Sequence, residues 1–331
     1  MTVNAQATTQ TTSSPGYFRP RRLGHVNLYI SDYEKSLHFY RKICGLPDGW
    51  TRPAIGGGFL NNGSTHHDIG FIPWDSGVAR RRADGPGLNH LAFELENEAE
   101  LVASYEAAVA GGTEFIATVD HLVAKSLYSW DPHKFGIEIY SDTGLSADDP
   151  DFAKLRRATA DWSPVLTPTS HVRHYVAEHE HKPKIDKSAL FHSQKLTGAV
   201  LVSDAFEAAC DYYTSIVGLT PVGGGRDRKF VILAGSCGSH DVTLVRAGEA
   251  RGPGFHHMSF VVFDEGDLEA SIAKAKDFGV TIEHQIDHPR RRGAVVSDPD
   301  GMKVLFYVDR KQNLKMDDIE AGIDGEAIWL T

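Results

Sequence analysis

At 331 residues the chain is too long for one ordinary small core and suits two domains of about 150 residues each. A hydrophobic fraction of 41% beside 24% charged residues excludes a disordered or membrane-spanning composition, and a formal net charge of −10 argues against nucleic acid as a partner. Three unpatterned cysteines, Cys44, Cys210 and Cys237, imply neither a disulfide framework nor a metal knuckle, so a cytoplasmic protein away from membranes is expected.

Residues 1–19, small and polar, read as a disordered tail without the apolar stretch of a secretory signal. The run LGHVNLYIS then alternates as a strand, so that Val26, Leu28 and Ile30 pack while His25, Asn27 and Tyr29 share the other face. A helix follows over residues 32–43, with Tyr33, Leu37 and Tyr40 at three-to-four spacing. Trp50, Phe59, Trp74 and Trp130 are candidates to line an apolar pocket, and Arg80, Arg81 and Arg82 read as a solvated loop.

In LNHLAFELE the apolar Leu91, Phe93 and Leu95 pack, leaving His90 with Ala92 and Glu94 on the opposite face. A second helix, residues 98–110, carries Leu101, Tyr105 and Val109. The strand FGIEIYS buries Ile137 and Ile139 and turns Glu138 away between Gly136 and Tyr140. Each strand-helix pair leads into short strands, giving a β-α-β-β-β unit. Residues 146–194 form a linker, whose His171, His174, His179 and His181 lie among Pro, Lys and Glu with nothing to preorganise them for a metal.

Beyond the linker the chain repeats itself. LTGAVLVSDAFEAACDYYTSIVGL from Leu196 matches the segment from Leu23, GPGFHHMSFVV from Gly252 matches GPGLNHLAFEL from Gly85, and the block from Asp287 matches that from Asp120. The halves are thus residues 20–145 and 195–310, followed by a tail, 311–331, that caps either a neighbour or the mouth of a site. Arg290, Arg291 and Arg292 read as another solvated loop.

Two imidazoles and a carboxylate, His25, His90 and Glu138, project from three strands of one sheet in the pattern that binds a divalent metal on one face and leaves other positions open. Singly, each has a plainer explanation in a structural hydrogen bond or a salt bridge. Their convergence is what argues for a metal.

At this point the sequence resembles the vicinal oxygen chelate superfamily, and within it the extradiol catechol dioxygenases, over residues 20–310. The resemblance implies an α+β fold of two tandem domains, each of paired β-α-β-β-β modules curled around a metal. The block HDIGF looks like the family's acid-base histidine block, which gives that role to His67. In DHLVAKSLYSWDPHKFGIE the family's closing signature puts His121 and Tyr128 beside the metal and Glu138 on it. Iron(II), or manganese(II), with dioxygen as co-substrate, a small aromatic diol and a homo-oligomer are also implied.

One departure stands out. Relatives usually work through the C-terminal domain, but here Thr197, His257 and Leu305 match His25, His90 and Glu138, and Val295 matches Tyr128. His240 and His288 still match His67 and His121. The first domain is therefore expected to be catalytic and the second degenerate. A glyoxalase or isomerase of the same superfamily, and a metal-free binding protein of the same fold, are the competing readings.

Overall fold

The residues that alternate along the two histidine-bearing strands, Val26, Leu28 and Ile30 in one and Leu91 and Phe93 in the other, are all fully buried. What they pack against is given by a computed structural model that describes residues 16–76, 84–145, 162–164, 169–310 and 315–331. The arginines at 80–82 lie outside the described residues.

The first sheet takes β1 (Arg22–Ile30), β2 (Asp48–Arg52), β3 (Gly57–Asn61), β4 (Ile69–Pro73), β5 (Gly87–Glu94), β6 (Ala117–Asp120), β7 (Ala124–Trp130) and β8 (Gly136–Asp142). The second takes β9 (Ser193–Ser203), β10 (Thr220–Gly224), β11 (Phe230–Ala234), β12 (Val242–Arg246), β13 (Gly254–Val262), β14 (His284–His288), β15 (Arg291–Ser297) and β16 (Lys303–Asp309). Their orders are β2-β3-β4-β1-β5-β8-β7-β6 and β10-β11-β12-β9-β13-β16-β15-β14, the same arrangement twice. In each, the opening strands of two β-α-β-β-β modules pair antiparallel at the centre, while each opening strand pairs parallel with the last strand of its own module. Two tandem domains of the expected class result.

Helices α1 (Tyr33–His38), α2 (Glu98–Ala110), α3 (Phe206–Asp211) and α4 (Glu265–Lys274) pack on the sheets. Asp32, Asn97 and Asp264 cap three of them, each side chain accepting from the backbone N–H three residues on. Both α1 and α3 continue into a five-residue π turn, Phe39–Ile43 and Tyr212–Ile216, so the repeat extends to an uncommon local geometry. On α2 the buried stripe is Leu101, Val102, Ser104 and Ala108, and Val109 is 46% exposed rather than packed.

The two halves interlock by exchange. Asp68 accepts from the Leu196 N–H of the other half at 3.2 Å, and its counterpart Asp241 accepts from the Leu23 N–H at 2.8 Å. Tyr40 donates to Asp298 at 2.8 Å, and Tyr213 donates to Asp131 at 3.2 Å. These are buried hydrogen bonds, and one apolar cluster runs through both halves from Val26 to Phe306. Tyr17 and Phe18, taken from the sequence as tail, dock here through backbone bonds to Ser215 and Ile216.

The linker and the final segment also differ from solvated chain. Tyr175 lies under the Arg21 guanidinium at 3.3 Å and donates to Glu96, and Glu178 pairs with Arg22 and Lys195. His171, His174 and His179 are exposed, and His181 is partly buried. Arg291 and Arg292 are not in a solvated loop: they start β15, and both are buried. Arg291 pairs with Asp309 at 2.8 Å, sits 4.0 Å from the Tyr307 ring centre and donates to the carbonyls of Trp329 and Thr331. Burial is tolerable because the charge is paired and hydrogen-bonded.

Those two carbonyls belong to a strap that closes the hollow of the second sheet. Helix α5 (Met316–Gly322) and the turn Glu326–Leu330 bring Ile319, Ile323 and Ile328 against Val200, Val202, Phe230 and Ile232. Leu330 packs with Val295, Leu305 and Tyr307, and the Trp329 indole lies 4.7 Å from the His257 ring. Among the described residues no helix is long and apolar enough to cross a membrane.

Candidate metal centre and its cavity

Register decides which side chains meet. Across β1, β5, β8 and β7, His25, Ala92, Glu138 and Tyr128 stand in one row, and Asn27, His90, Gly136 and Trp130 stand in the next. The small Ala92 lies between His25 and Glu138, and Gly136 lies beside His90. Neighbouring strands are about 4.8 Å apart, so the longer side chains can lean over their small neighbours and converge. A Cβ at residue 136 would come within 2.9 Å of the His90 Cβ, which requires glycine there.

The convergence is tight. His25 Nε2 lies 3.2 Å from Glu138 Oε2, His90 Nε2 lies 2.9 Å from the same oxygen, and the two nitrogens are 3.3 Å apart. Two ligands about 2.1 Å from an ion and at right angles to each other would be about 3.0 Å apart, so the triangle has the dimensions of three facial ligands. Hydrogen bonding alone explains it poorly. Two imidazole protons at most cannot satisfy all three contacts.

Charge agrees with this geometry. Burial opposes ionisation of Glu138, but the imidazoles of His25 and His90 outweigh it and hold the carboxyl well below its ordinary range. Burial presses His25 down to about 4 against the pull of Glu138, so it is neutral at pH 7. Deprotonated imidazole beside an ionised carboxylate is the donor state a divalent cation requires.

The triangle forms one end of a cavity of about 240 Å³. All six residues singled out from the sequence line it: His25, His90 and Glu138 at the triangle, His67 just before β4, Tyr128 on β7 and His121 in the turn between β6 and β7. His121 Nε2 and the Tyr128 hydroxyl are 2.9 Å apart. Three of the four aromatic candidates, Trp50, Phe59 and Trp130, are walls, whereas Trp74 is not among them. Ile55, Ile72, Ile116 and Val123 complete the apolar side.

His67 is 5% exposed, and among the described residues neither of its ring nitrogens has a hydrogen-bond partner. Burial first, and then the neighbouring His25 and His66, hold its pKa well below the ordinary value, so the ring is neutral. Sequence reasoning missed His66. Its Nδ1 lies 2.8 Å from Asp142, and it lines the same cavity. The pair of adjacent histidines was visible, but the partner carboxylate 76 residues away was not.

In the second sheet the match to His25 needs correction. Gly198, not Thr197, stands opposite Ser259 as His25 stands opposite Ala92: the segments from Leu23 and Leu196 correspond residue for residue, and the bulge falls at the same place in both, at Gly24 and at Thr197. His257 stands where His90 does, and Leu305 stands where Glu138 does. A glycine, one histidine and a leucine offer one ligand atom in place of three.

A family model described as the glyoxalase/bleomycin resistance protein/dioxygenase superfamily matches residues 22–139 and 195–306. An iron-dependent extradiol dioxygenase from Rhodococcus jostii is 28% identical over 156 residues, 42% of this chain and 49% of that protein. A biphenyl-2,3-diol 1,2-dioxygenase from Rhodococcus globerulus is 29% identical over 122 residues, 37% of this chain and 63% of that protein. The chain therefore spans only about half to two thirds of the length of these curated relatives. Among solved structures, a 2,3-dioxygenase from a Pseudomonas species superposes with a TM-score of 0.62 at 17% identity, covering 91% of this chain and 97% of that one. A Mn(II)-bound glyoxalase from Novosphingobium aromaticivorans gives a TM-score of 0.62 at 14% identity, covering 88% and 84%. At such identities the structural likeness is one of fold.

Proposed function

The chain belongs to the glyoxalase/bleomycin resistance protein/dioxygenase superfamily, and from that premise we propose that it is an iron(II)-dependent extradiol dioxygenase that opens a catechol-type ring next to the diol. One observation carries the reading: the triangle of His25, His90 and Glu138 opens onto a cavity that also contains His67 and the hydrogen-bonded pair His121 and Tyr128. Residues 20–145 are then the catalytic domain, and residues 195–310 its non-catalytic counterpart. Manganese(II) suits the same donors.

His25, His90 and Glu138 would hold the ion. Bound there, iron(II) would supply open coordination positions for both oxygens of a diol and for dioxygen. The remaining steps belong to the protein. Trp50, Phe59 and Trp130, with the aliphatic walls, clasp an aromatic ring and exclude water. Tyr128 and His121 share a proton across 2.9 Å and take one from a diol hydroxyl. His67, neutral and with neither nitrogen held by a partner among the described residues, exchanges a proton with oxygen on its side of the cavity. A glyoxalase-type isomerase commonly uses a fourth protein ligand; among the described residues His66 and His67 group with His25, but neither groups with all three of His25, His90 and Glu138.

The test is to load anaerobically purified protein with ferrous iron and to follow oxygen uptake and visible absorbance with catechol, alkylcatechols, dihydroxybiphenyl and hydroquinones. Oxygen consumption with a yellow product is expected. A fully loaded protein that consumes no oxygen with any of these diols, yet isomerises a hemithioacetal, would refute the assignment.

A further inference from the structure

His67 and its counterpart His240 occupy the same place in the two sheets, yet they are held differently. His240 has both ring nitrogens engaged, with the Ser239 hydroxyl 2.7 Å from Nδ1 and the Tyr307 hydroxyl 3.1 Å from Nε2. His67 has neither nitrogen engaged by any described residue, although it is buried. A buried imidazole without hydrogen bonds has only packing to fix its plane.

Four rings supply that packing. His25 lies at 3.8 Å between centres, and His66, Phe59 and Trp50 meet His67 edge-to-face at 4.4, 5.1 and 5.6 Å. His66 is itself pinned: its Nδ1 donates to Asp142 at 2.8 Å, and its ring meets Tyr140 edge-to-face at 5.0 Å. In the second sheet the residue before the histidine is Ser239, and Asp309, which stands where Asp142 does, pairs with Arg291 instead.

We propose that His66, tethered by Asp142, is the positioning residue for His67: it fixes that imidazole by ring contact and so leaves both nitrogens without a hydrogen-bond partner among the described residues, available to a group bound in the cavity. Ser239 orients His240 by the opposite means, occupying a nitrogen. The inference rests on the catalytic reading of His67, but its structural half can be measured without turnover.

His66→Ser recreates the arrangement of the second sheet. Nitrogen NMR of isotope-labelled histidine in metal-free protein, with His67 assigned through His67→Phe, should show the His67 Nδ1 resonance moving to a hydrogen-bonded position. With iron loaded, metal content should match the parent protein and KM for the diol should hold, while kcat falls about tenfold or more. His66→Phe keeps a ring without the tether and should lose less. Asp142→Asn, which still accepts from Nδ1, should retain more of kcat than Asp142→Leu. An unmoved His67 resonance in His66→Ser, or parental kcat at parental iron content, would overturn the proposal. Should the parent protein consume oxygen with no diol, the dioxygenase assignment fails, and the NMR comparison still decides what His66 does.

Discussion

The two sheets share strand order, module topology and even a π turn in the same place, and they differ in what occupies the hollow. In the first, three ligand-grade side chains border a cavity of about 240 Å³. In the second, Gly198 and Leu305 replace two of them, and the strap lays Leu330 and Trp329 over the remainder. The contrast teaches that the scaffold tolerates either filling. A curled sheet can leave its concave face as a cavity bordered by ligand-grade donors or fill it with apolar side chains from the same chain.

The comparison breaks first at the triangle. Glu138→Leu, which installs the residue of the second sheet, and His90→Ala should each weaken iron binding by more than the roughly 10–100-fold typical of losing a supporting partner, and should abolish turnover. Metal analysis after gel filtration checks this, and full iron content in either variant would remove that residue from the ligand set. His67→Phe should keep iron and lose turnover by about 10²-fold or more. Parallel iron and oxygen-uptake assays separate it from the ligand variants.

Stability measurements sharpen the other side. Ile323, which the strap packs against the second sheet, is fully buried, so Ile323→Ala should cost about 2–5 kcal/mol in denaturant unfolding and leave turnover per folded molecule unchanged. A cost near zero would mean that the strap is not part of the second core. The smallest expected effect tests the exchange between halves. Tyr40→Phe and Tyr213→Phe each remove one buried hydrogen bond across the interface, and each should cost about 1 kcal/mol. Clearly unequal costs would show that the two crossings are not equivalent.

Much of this was legible in the sequence because alternation is a local signal. His25, His90 and Glu138 sit opposite Val26, Leu91 and Ile137 along their strands, and no distant information is needed to see which way they face. Bulges are a different matter, because the one at Gly24 and its copy at Thr197 leave no mark in the amino-acid pattern. The match of His25 to Gly198, by contrast, follows from aligning the segments at Leu23 and Leu196. Three successive arginines at 290–292 hid a strand, because a charge run normally means solvent, and only tertiary partners such as Asp309 and the strap carbonyls make Arg291 an interior residue. His66 was overlooked for the same reason: its meaning comes from Asp142 at the end of β8, 76 residues away. Ile319, Ile323 and Ile328 showed that the last segment needs a partner surface, but not which one.

The strap has a consequence for stoichiometry. Because the polypeptide itself fills its second hollow, that hollow should offer exogenous aromatic molecules no address. Duplication of the scaffold therefore need not give duplicate occupancy, and a calorimetric titration should saturate at one guest per polypeptide.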